Sequence, residues 1–107
     1  MIIPRSFKLL GHTIDVSEEP DLFFKGGNYG SSSMEGKWIK LAPPSPGHTI
    51  TQSSLEHTFL HELVHLCLYH TEQFVLNKNE GFVDLMAGLL HQAFTTSEGV
   101  FGVEEPL

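Results

Sequence analysis

The sequence predicts an α+β domain in which a small, mostly antiparallel sheet precedes two helices. Three observations point to it. Apolar and polar residues alternate near the N-terminus, a second extended pair brackets Glu35-Gly36, and apolar positions take up helical spacing after Ser53.

In residues 6 to 16, Phe7 and Leu9, then Ile14 and Val16, alternate with polar neighbours, with Gly11 as the bend between them. Residues 17 to 28 read as a loop anchored by Phe23 and Phe24. Tyr29 to Met34 and Lys37 to Leu41 read as the arms of a hairpin, ended by Pro43, Pro44, Pro46 and Gly47. The first helix is predicted from Ser53 to about Tyr69, opened by a Ser53/Glu56 capping box. Leu55, Phe59, Leu60, Leu63, Val64, Leu66 and Leu68 supply its apolar period. The second helix is predicted from about Asn79 to Phe94, with a broad apolar side of Phe82, Val83, Leu85, Met86, Leu89, Leu90 and Phe94. The division is thus residues 1–50 as strand region, 51–94 as helices and 95–107 as tail, all within one domain of 107 residues.

Composition narrows the function. Six Lys plus Arg stand against thirteen Asp plus Glu, a formal charge of -7 that repels phosphate backbones and anionic membrane surfaces. No nucleic acid or membrane partner is expected. Seven histidines raise the prior for a metal site. The single cysteine, Cys67, allows no internal disulfide. Pro4, Arg5 and Lys8 interrupt any apolar leader, and no segment reads as membrane-spanning, so a cytoplasmic protein is expected.

The chemistry concentrates at His61-Glu62-Leu63-Val64-His65, an H-E-x-x-H sequence on the first helix. Residues four apart lie on one helical face, so two imidazoles there can converge on one ion at about 2.0–2.1 Å. Glu62, next to the first ligand, is placed to act as base on an activated water. A catalytic zinc takes three protein ligands and keeps a fourth position open. The third ligand is expected from Asn79-Glu80-Gly81-Phe82-Val83-Asp84. Glu80 is placed to ligate, and Asp84, one turn on, to accept the free ring N–H of a ligand histidine. The plainer reading of Glu80 is the closing residue of a cap begun at Asn77, and of Asp84 a surface carboxylate.

With these residues the chain resembles the gluzincin metallopeptidases of the thermolysin type, and in brevity the minigluzincins and small phage-type proteins with the same motif. In the family, the H-E-x-x-H helix is followed by an N-E-x-x-x-D helix. The resemblance covers roughly residues 57 to 94 and implies a minimal zincin fold. It also implies one Zn²⁺ per chain, held by His61, His65 and Glu80, with Asp84 bracing a ligand ring. An exposed strand upstream would pair with the extended substrate, and Tyr29, Gly30, Ser31, Ser32, Ser33 and Met34 are the matching segment. Only fourteen residues separate His65 from Glu80, where the family carries a long insertion, and the second helical subdomain is missing. The metzincin pattern fails, since it needs glycine at 68 and histidine at 71, where Leu68 and Thr71 stand.

Other polar groups lie near the motif. His57, Tyr69 and His91 lie one turn or more from the motif residues and are candidates for oxyanion stabilisation or the cleft rim. His12, His48 and His70 read as surface residues and Cys67 as a core thiol. The expected activity is zinc-dependent hydrolysis of peptide bonds, with Glu62 as general base and a peptide or protein as substrate. Two alternatives stand beside it: a catalytically silent zinc-binding structural or regulatory module, and a self-inhibited protease precursor whose tail covers the cleft.

Overall fold

A computed structural model describes residues 1–97. It is α+β, with a small mixed sheet followed by helices. The first hairpin joins β1 (Ser6–Leu9) to β2 (His12–Glu18). Its turn places Leu10 at φ 46° and Gly11 at φ 82°, the left-handed pair that a two-residue hairpin requires. The predicted loop that follows holds a short helix, α1 (Asp21–Gly26), which Gly27 closes at φ 67°. Only Phe23 of its two phenylalanines acts as an anchor; Phe24 is half exposed.

The second hairpin joins β3 (Gly30–Ser33) to β4 (Trp38–Leu41). Strand order is β1-β2-β4-β3, with β2 and β4 parallel and the other two pairings antiparallel. β3 is therefore an edge strand. Its register also fixes which backbone groups face outward. The Ala42 N–H donates to the Tyr29 carbonyl, so hydrogen-bonded pairs recur at Ser31–Lys40 and Ser33–Trp38. Gly30 and Ser32 occupy the alternate pairs and turn their N–H and C=O groups to the open edge.

The long helix α2 (Gln52–His70) crosses the sheet. Its cap is Thr51, whose side chain accepts from the Ser54 N–H, rather than the predicted Ser53. Glu56 is consequently free of capping and is buried between helices. There it accepts hydrogen bonds from His91 Nε2 at 2.9 Å and Gln52 at 3.3 Å. Burial pushes this carboxyl up. The two hydrogen bonds and the charges of His91 and the Met1 amine outweigh that and hold its pKa below the ordinary value. With the folded value depressed, this stabilisation is present above the unfolded carboxylate pKa and is lost as pH falls through the folded one.

A one-turn helix absent from the sequence reading, α3 (Phe74–Asn77), leads into α4 (Glu80–Thr96), whose cap is Asn79. Ile14, Ile39 and Leu41 of the sheet meet Leu55, Phe59, Leu60 and Leu66 of α2, with Ala87 of α4 closing the cluster. Phe7 meets Phe59 edge to face at 6.0 Å. Because α4 packs mainly on α2, its apolar side is narrower than predicted. Val83 and Ala87 are buried, while Leu85 and Leu89 are more than half exposed.

Further expectations are corrected. His48 is buried, because a tight Ser45–His48 turn through Gly47 (φ 85°) folds its ring onto Phe23 at 4.0 Å. His12 and His70 are half-buried against each other, with ring centroids 5.6 Å apart. Cys67 is solvent-exposed rather than a core thiol, on the side of α2 away from His65. Its sulfur is still desolvated enough for the thiol pKa to be pushed up, which disfavours a thiolate ligand. The tail begins after Thr96 rather than at Thr95, and its proposed place over the cleft falls on residues 98–107, outside the described residues. No described helix is long and apolar enough to cross a membrane.

Gly30 is where β3 touches α2. A Cβ there would lie 2.7 Å from Thr58 Cγ2 and 3.3 Å from Glu62 Cγ. Gly30→Ala is expected to force the strand off the helix at a cost of about 1–3 kcal/mol, lowering the melting temperature by roughly 4–8 °C per kcal/mol. A thermal melt superimposable on wild type would show that the strand is not seated so closely.

Candidate metal centre

The helical spacing of the motif brings His61 and His65 onto one face of α2, their ring centroids 4.9 Å apart. The α3 turn then reverses the chain and delivers Glu80, the first residue of α4, against both rings. His61 Nε2 lies 3.0 Å from Glu80 Oε2, and His65 Nε2 lies 3.1 Å from Glu80 Oε1. The three ligand atoms all fall within 4.8 Å of one another, and this His61-His65-Glu80 group could hold a metal ion.

The outer nitrogens test whether the rings are prepared for one. His61 Nδ1 is 3.1 Å from Asp84 Oδ1, and His65 Nδ1 is hydrogen-bonded to Asn77 Oδ1. An acceptor at each Nδ1 would favour the tautomer that donates there, which would turn both Nε2 lone pairs toward an ion held between the rings and Glu80. The donor set is then two imidazole nitrogens and one carboxylate oxygen, and all three residues line the larger cleft. Two imidazoles and a carboxylate suit a divalent metal ion.

Asp84 sits where the sequence placed it, and it does more than expected. The same Oδ1 is 3.1 Å from His57 Nε2, so one carboxylate bridges two imidazoles. Of the three candidate rim residues, His57 lines the cleft, but its Nε2 is committed to Asp84. Tyr69 packs edge to face on Phe74 and lines a smaller neighbouring cavity. His91 is not at the centre: it pairs with Glu56 and lines neither cavity.

Asn77 was missed as a ring partner. The spacing of Asn77 to Glu80 offers it only as the start of a possible cap, yet Asn79 caps α4 by accepting from the Phe82 N–H at 3.0 Å, and Asn77 instead meets His65. An asparagine three residues before Glu80 was the available signal. Asn77→Ala is expected to weaken divalent-metal binding about 10–100-fold through a misaligned His65 ring. Competition with a chromophoric chelator measures it, and unchanged affinity would remove Asn77 from the centre.

Glu62 is only 8% exposed although it stands beside His61 on the helix that carries the candidate metal group. It lies where two cavities meet, a cleft of about 760 Å³ and a smaller one of about 350 Å³, which share Gly30, Glu62 and His65 among their walls. Its Oε1 accepts from Ser32 Oγ at 2.7 Å. Thr49, Thr51, Ser54 and Thr58 make the larger cleft polar, and none of the six lysines and arginines lines either cavity. Across known proteins, no family, no curated sequence and no solved structure matches the chain.

Proposed function

We propose that the protein is a zinc-dependent peptidase of minimal gluzincin type that hydrolyses peptide bonds in extended chains. The observation that carries this reading is Glu62. A metal centre with a purely structural role has no use for a buried carboxylate beside its ligands at the junction of two cavities.

The peptide enters by strand addition. The outward N–H and C=O groups of Gly30 and Ser32 offer it a backbone ladder; Tyr29 and Gly30 line the larger cleft, and Gly30, Ser31, Ser32 and Met34 the smaller one. His61, His65 and Glu80 would hold the zinc ion, with Asp84 and Asn77 fixing the two rings. When bound, zinc supplies Lewis acidity, which polarises a carbonyl and lowers the pKa of water. Glu62 does the proton work. It takes a proton from the attacking water onto its carboxylate and gives it to the departing amine, so the acid released carries the water oxygen and the carboxylate is regenerated.

The test is metal analysis of purified protein together with cleavage of an unfolded casein-type substrate. About one zinc per chain with cleavage is expected. Zinc without cleavage points to the silent module instead, and no zinc removes the reading.

A further inference from the structure

We infer that Ser32 is a positioning residue that ties the peptide-binding edge of the sheet to the general base. This rests on the peptidase reading above.

Ser32 faces two ways at once. Its side chain shares a face with Gly30, following the two-residue period of a strand, and that face meets α2. The missing Cβ at Gly30 lets the strand approach Thr58 and Glu62 closely enough for the Ser32 hydroxyl to reach Glu62. Its backbone meanwhile belongs to a pair whose N–H and C=O point to the open edge. A peptide that adds to β3 would therefore hydrogen-bond the same residue whose hydroxyl holds the base.

The hydroxyl donates to Oε1 alone. Oε2 takes no protein hydrogen bond among the described residues and is the oxygen left to receive a proton. A carboxylate on a glutamate stem has several rotamers, and one charge-assisted hydrogen bond at 2.7 Å selects among them. The neighbouring strand serines have other roles. Ser33 Oγ accepts the Gly36 N–H and closes the hairpin turn, and Ser31 pairs with Lys40.

The experiment compares zinc-loaded wild type, Ser32→Ala, Ser32→Thr and Glu62→Gln on an extended peptide. Loss of one hydrogen bond to a charged group predicts that Ser32→Ala lowers kcat and kcat/KM together by about tenfold or more, with KM and zinc content unchanged. Ser32→Thr keeps the hydroxyl and is expected to restore most of the rate. A second readout needs no turnover. In metal-free protein, the melting-temperature losses of Ser32→Ala and Glu62→Ala should fail to add in the double variant, because either change alone breaks the shared contact. Wild-type kcat in Ser32→Ala alongside an inactive Glu62→Gln overturns the role of Ser32 and leaves the peptidase reading standing. So do strictly additive losses. Zinc-loaded wild type without cleavage overturns the peptidase reading itself, and the inference falls with it.

Discussion

Glu62→Gln is expected to lower peptide cleavage about 10²–10⁴-fold while leaving zinc content and fold intact. The amide has nearly the shape of the carboxylate and can still accept from Ser32, so the packing around position 62 should survive. It cannot accept a proton from water, and that function alone is removed. Because the lost interaction belongs to the transition state, kcat and kcat/KM should fall together with little change in KM. Equal cleavage by wild type and variant would end the assignment of Glu62 as base.

The second large effect concerns the metal. His61→Ala removes one of two imidazoles and also strands Asp84, which then keeps, among the described residues, only His57 as a side-chain partner. Zinc binding should drop well beyond the 10–100-fold expected for a change at Asn77, because a ligand is lost rather than its brace. Metal that binds only the folded chain adds about 4 kcal/mol at a thousandfold excess over Kd, which on a domain of this size is on the order of 15–30 °C in Tm. Wild type should therefore melt far lower after treatment with a chelator, and His61→Ala should melt at a temperature that zinc no longer changes. Full zinc retention in His61→Ala would remove the His61-His65-Glu80 centre.

The local patterns were legible because the chain's own periodicity sets them. The two-residue alternation at Phe7, Leu9, Ile14 and Val16 gives the first hairpin, and the helical spacing of Leu55, Phe59, Leu63 and Leu66 gives α2. That His61 and His65 share a face follows from the helix alone. The motif places Glu80 and Asp84 near those rings, and the structure sets Glu80 against both His61 and His65, with Asp84 against His61.

What tertiary structure alone decided lies at contacts between elements. α3 has four residues and an exposed Phe74 and Val75, so no apolar period marks it, yet it carries Asn77 to His65. Glu56 had the spacing of a cap and instead became a buried partner of His91, because α4 packs against that side of α2. His48 went inside because a turn folded it onto Phe23. Ser32 was legible only as part of an edge strand. Its bond to Glu62 spans thirty residues and depends on how closely Gly30 lets the sheet approach the helix. Periodicity encodes which way a side chain points from its own element; what it meets there depends on how the elements dock.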